Sequence, residues 1–96
     1  MKLTKTFIEN LRKAISEDLQ SKDCDRVFKA NQINSILAQD EVSREDIITL
    51  VDTIEDLCPR KRSKIMGYFV IMELYHYDYS NYTEEDLVDC GIIERV

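Results

Sequence analysis

Three cysteines, at positions 24, 58 and 90, and one histidine, His76, are the soft metal ligands of this chain. Three thiolates and an imidazole satisfy zinc. Structural zinc sites draw their cysteines from closely spaced pairs, and these three stand far apart in sequence. That spacing reads instead as three small side chains serving as buried apolar groups. No metal and no cofactor are expected. General acid and base catalysis needs a titratable group tuned near neutral pH. His76 stands alone for that work, with neither a glycine-rich loop nor a nucleophile elbow beside it. Carboxylates abound, but their spacing assigns them to exposed helix faces, where charged side chains normally stay solvated. The chain is therefore not expected to be an enzyme. Asn81-Tyr82-Thr83 matches a glycosylation acceptor, which has no meaning in a chain that is not exported.

Charge is distributed unevenly. Residues 1–64 hold twelve basic and twelve acidic side chains, whereas residues 65–96 hold one basic residue, Arg95, and seven acids. The net charge of −6 thus belongs to the last third. Within the neutral part, Arg60, Lys61, Arg62 and Lys64 form a basic knot at the expected start of a helix, where the positive end of the helix dipole disfavours them. Such a knot could bind a phosphate or a carboxylate. Glu55 and Asp56, just ahead of it in sequence, supply the bland reading of local neutralisation.

Tyrosine is just as uneven. All five tyrosines lie between residues 68 and 82, and Tyr75, Tyr77, Tyr79 and Tyr82 crowd into eight residues, 75–82. A period of two is not helical, so one helix face cannot bury every ring. Exposed tyrosine offers a large apolar area, a hydrogen-bonding tip and few rotors to freeze, which suits an interface. Glu73, Asp78, Glu84, Glu85, Asp86 and Asp89 flank the rings and would make the patch negative.

A negative, aromatic patch fits a basic partner. The favoured reading is a protein-interaction module or regulatory binder that uses Tyr75, Tyr77, Asp78, Tyr79, Tyr82, Glu84 and Glu85 as its contact surface. One form of it is an immunity or anti-defence type inhibitor of a nucleic-acid-processing protein, with carboxylates standing where phosphates would lie. The alternative is a helical nucleic-acid-binding domain using the Arg60, Lys61, Arg62 and Lys64 knot. Nucleic acid also stacks on tyrosine, but phosphate repels this acidic segment and the knot is smaller than the basic stripe such proteins carry. A third class, a metal or small-molecule sensor, would use His76 and the thiols. A homodimer is the further expectation if Met66, Tyr68, Ile71 and Met72 leave one helix face incompletely covered.

The elements that must position these residues read as helix after helix. From Leu3 to Leu19 the apolar residues Leu3, Phe7, Ile8, Leu11, Ala14, Ile15 and Leu19 recur at helical spacing. Between Asp23 and Gln39, Val27, Phe28, Ala30, Ile33, Ile36 and Leu37 do the same, with a break expected near Asn31. Ser43 with Asp46 resembles a capping box and opens a third helix with Ile47, Ile48, Leu50, Val51, Ile54 and Leu57 inward. Pro59 should end it.

A fourth helix, from Arg60 to Tyr75, is apolar nearly all round and is expected at the centre of the bundle. Thr83 and Asp86 cap a short fifth, Gly91 closes it, and Ile92 and Ile93 fold back onto the core.

With 96 residues there is room for one domain, burying roughly 60–65% of the unfolded surface. Gly 2 and Pro 1, with 33% charged residues, favour regular helix and argue against disorder. The expected fold is all-α, a compact bundle of about five helices over residues 1–96. It is similar in architecture to the death-fold and sterile-α-motif adaptor domains, a likeness carried by helix count and size and by no signature residue. Fold alone does not carry function. No stretch is long enough to span a membrane, the first residues lack the apolar run of a signal peptide, and the odd cysteine count suits reduced thiols. A cytoplasmic location is expected.

Overall fold

Thr4 sets the first boundary. Its hydroxyl accepts from the Phe7 amide at 3.2 Å and caps α1 (Lys5–Leu19). The computed structural model describes residues 1–57 and 83–95. Over these, three further helices follow: α2 (Cys24–Leu37), α3 (Arg44–Leu57) and the short α4 (Glu84–Asp89). The described fold is all-α. Its one departure is an isolated antiparallel bridge between Leu3 and Ile93. The expected fourth helix, Arg60 to Tyr75, and Pro59 lie outside the described residues.

Leu3 is extended rather than helical because residues 1–4 have another task. The Thr4 amide donates to Ile92 O at 2.9 Å, the Glu94 amide donates to Lys2 O at 2.8 Å, and the Thr4 hydroxyl donates to Gly91 O at 2.6 Å. Toward the α2–α3 loop, the Val42 amide donates to Met1 O at 2.7 Å. The Met1 amine donates to Val42 O and to Glu41 Oε2, both at 3.0 Å. The N-terminal segment is thus laced between the loop before α3 and the segment after α4, satisfying backbone groups that no helix can satisfy.

The core follows the helical stripe. Leu3, Phe7, Leu11 and Ile15 are buried, together with Ala30, Ile33, Ile36 and Leu37 of α2 and Ile47, Leu50, Val51, Ile54 and Leu57 of α3. Ile92 and Ile93 return to it as expected, joined by Leu87 and Val42. The α2 helix packs against both α1 and α3. Each large aliphatic side chain removed from water here contributes about 1.5–3 kcal/mol.

Several expectations are corrected. No break occurs at Asn31: α2 is continuous and Asn31 is exposed. An asparagine in a helix costs a few tenths of a kcal/mol to about 0.7 kcal/mol, which the burial of Ala30, Ile33 and Leu37 offsets. Phe28 is 62% exposed rather than inward, because two residues of helix separate it from Ala30 by about 200°. Leu19, the last residue of α1, is also exposed at 36%. One carboxylate is not solvated, since Asp18 is buried, with Arg26 Nη1 4.0 Å from its Oδ1. Nor are all the thiols buried: Cys24 is exposed and Cys90 is half-buried. Cys58 lies outside the described residues.

Candidate protein-interaction site

The α4 helix carries the described part of the acidic surface. Thr83 caps it as expected: the Asp86 amide donates to the Thr83 hydroxyl at 3.3 Å, and the Thr83 amide donates to the Asp86 carboxylate at 2.8 Å. Gly91, at φ 78°, closes it. There the Gly91 amide bonds Val88 O and the Ile92 amide bonds Leu87 O, both at 3.0 Å, the two bonds of a Schellman ending. Ile92 and Leu87, which that ending brings together, are both buried. A six-residue helix is therefore fixed at both ends.

Its first turn is entirely acidic, Glu84, Glu85 and Asp86, with Asp89 one turn on. Carboxylates at a helix start are favoured by the dipole, so this concentration of charge is tolerated locally. The three first-turn acids have different occupations. Asp86 is half-buried in the capping box. Glu85 holds Arg95 in a fork, with Nη2 to Oε1 at 2.7 Å and Nη1 to Oε2 at 3.3 Å. Glu84 is exposed and takes part in no ion pair among the described residues. Asp89 Oδ1 lies 4.0 Å from Arg95 Nη2. The hydrogen bonds that Arg95 donates to Glu85, then the charge of that carboxylate, raise the Arg95 pKa above the ordinary value.

A groove runs beside these acids, with an opening of about 200 Å³. Met1, Val88 and Ile93 supply its apolar part, and Glu84, Glu85, Glu94 and Arg95 its charged rim. Glu84 also borders a smaller adjoining cleft, which Met1, Arg44, Thr83 and Leu87 line with it. Cys90, at the C-cap of α4, has its thiol pKa pushed up by burial first and then by the charges of Asp86 and Asp89, which makes it a poor nucleophile at neutral pH.

Of the residues expected at the partner surface, Glu84 and Glu85 are thus adjacent and exposed on the first turn of α4. Tyr75, Tyr77, Asp78, Tyr79 and Tyr82 lie outside the described residues, as do the basic knot Arg60, Lys61, Arg62 and Lys64 and the self-association residues Met66, Tyr68, Ile71 and Met72. Sequence reasoning did not find Met1, Val88, Ile93 or Arg95 as groove residues. Met1 reaches α4 only through the lacing of the N-terminal segment, which no periodicity signals. Arg95 did carry a signal: it is the one base among residues 65–96. Among the described residues, no group of three or more His, Cys, Asp and Glu side chains is arranged to hold a metal ion, and no helix is long and apolar enough to cross a membrane. Comparison with family models, with curated proteins and with solved structures finds no match to this chain.

Proposed function

We propose that this chain is a small protein-interaction module or regulatory binder, working by binding rather than by catalysis, whose acidic surface around α4 and the preceding tyrosine segment contacts a basic partner. The observation that carries this reading is the surplus of exposed negative charge on α4. Four carboxylates occupy six residues of helix: Glu85 holds Arg95, which also lies 4.0 Å from Asp89, while Glu84, exposed, borders a cleft that Arg44 also lines. Surfaces of one sign raise the encounter rate with the opposite sign and select among partners. Met1, Val88 and Ile93 in the groove beside the acids add apolar area that water-exposed charge alone does not provide.

A specific form of this reading is an inhibitor of a nucleic-acid-processing protein, in which the carboxylates occupy the place of phosphates. A cytoplasmic setting fits it, since such partners and reduced thiols occur together there. The test is affinity capture from lysate of the native host with nuclease added. A Tyr75→Ala, Tyr77→Ala, Tyr79→Ala variant that still melts cooperatively is compared with the unaltered chain. The expected result is one stoichiometric protein partner recovered by the unaltered chain and lost by the variant. Recovery of no partner, or recovery that survives the variant, would refute the reading and favour the Arg60–Lys64 knot as the working surface.

A further inference from the structure

We infer that residues 1–4 are a clasp: they tie the loop before α3 to the segment after α4, so that the three segments open and close as one unit while α2 stays folded.

Residues 1–3 lie ahead of α1 and gain nothing from its hydrogen bonds. The backbone hydrogen bonds that join distant parts of the described chain all run through this segment. On one side the Val42 amide donates to Met1 O at 2.7 Å; on the other the Glu94 amide donates to Lys2 O at 2.8 Å and the Thr4 amide to Ile92 O at 2.9 Å. The Thr4 hydroxyl adds a further tie, donating to Gly91 O at 2.6 Å while it accepts from the Phe7 amide at the start of α1. Beneath these bonds lie Leu3, Val42, Ile92 and Ile93, all buried and all in one apolar cluster. Each of the three segments thus contributes both a backbone partner and a core side chain.

One side does not let go alone. Ordering non-helical backbone is unfavourable, and here it is offset by these bonds and by the burial of Leu3. Release of the C-terminal side takes away the bridge between Leu3 and Ile93 and leaves the Val42 side holding a segment with nothing else to order it. The α4 helix, six residues long, is too short to persist unsupported. By contrast, α2 has fourteen residues and packs against both α1 and α3. The clasp therefore sits at the low end of the molecule's range of opening free energies and α2 at the high end. Met1 and Ile93 also line the groove beside the acids, so opening the clasp dismantles that groove. A partner seated there would hold the clasp shut and steady the loop before α3; this consequence rests on the reading above, whereas the clasp itself does not.

The test is native-state amide hydrogen exchange of the full chain, read by NMR across a range of low guanidinium concentrations. It follows the amides of Thr4, Val42 and Glu94, with that of Ile33 in α2 as the reference. The three should share one opening free energy and one denaturant dependence, both below those of Ile33. Val42→Ala should then speed exchange at Thr4 and Glu94, both distant in sequence, by the same factor as at position 42. That factor is about tenfold for two methyl groups lost from a buried site. Three different opening free energies, or an acceleration confined to position 42, would mean independent fraying and would overturn the clasp. A common value equal to that of Ile33 overturns it too, because those amides then exchange only through global unfolding. The unaltered chain by itself can return either contrary result, so a variant that fails to fold leaves the test intact. No partner enters these measurements, so the clasp and the acidic-surface reading stand or fall separately.

Discussion

Cys24 and Cys90 differ in chemistry because of where the backbone places them. Cys24 opens α2 and is exposed, whereas Cys90 is half-buried beside Asp86 and Asp89, and burial followed by those charges raises its pKa above the ordinary 9.0. Alkylation with iodoacetamide at neutral pH, followed by peptide mass mapping, should therefore modify Cys24 well before Cys90; the reverse order would contradict the described packing. A raised thiol pKa means that the folded state favours the protonated form. This contribution to stability is complete below the ordinary thiol pKa and is lost as pH rises through the raised value. Phe28 is a second residue whose position decides its effect. At 62% exposed it lies opposite Ala30, so Phe28→Ser should change the melting free energy by no more than about 0.5 kcal/mol. Leu11→Ala, at a residue with no exposed surface, should cost about 2–5 kcal/mol by leaving a cavity. The sequence pattern revealed Phe7, Leu11 and Ile15 of α1 and Ile47, Leu50, Val51, Ile54 and Leu57 of α3 as inward because they repeat at helical spacing; it overreached at Leu19, which is exposed, and at Ile48, which is half-buried, and it passed over the buried Thr53. It misread Phe28 because apolar type was counted without its angle around the axis, and it missed the burial of Asp18 because nothing local announces a buried carboxylate.

Helix ends were the most legible features of the elements. Ser43 with Asp46 forms the expected capping box, the Asp46 amide donating to the Ser43 hydroxyl at 3.1 Å and the Ser43 amide to the Asp46 carboxylate at 2.8 Å. Thr83 with Asp86 forms another. These motifs could be read because their chemistry is confined to four residues. The continuity of α2 through Asn31 could not, because tertiary burial on the opposite face overrides a weak local propensity. The lacing of residues 1–4 was equally hidden: Leu3 belongs to the apolar stripe of α1, yet its bridge to Ile93 depends on a contact distant in sequence. Gly91 is the critical point of the last element, since its φ of 78° is disfavoured for any residue with a Cβ by about 1–2 kcal/mol. Gly91→Ala should lower stability by that amount in denaturant titration. It should also speed amide hydrogen exchange at Ile92 and Ile93; unchanged exchange there would show that the Schellman ending does not hold the C-terminal segment to the core.

For the molecule as a whole, the described fold joins a conventional helical core to a surface whose charge is not balanced. The lacing of the N-terminal segment places Met1 beside Glu84 and Glu85, so distant parts of the chain build one groove next to the most acidic helix. The fold class and the acidic third were legible from composition and periodicity; the groove was not, because it is created by chain closure rather than by any segment. The central claim is that this surface works by attracting a basic partner. The most direct test substitutes Glu84→Lys and Asp89→Lys together, both at exposed residues outside the capping box, and repeats the partner capture and thermal melt. The account predicts an unchanged cooperative melt with the partner lost. A partner retained in full by the folded, charge-reversed protein would contradict it.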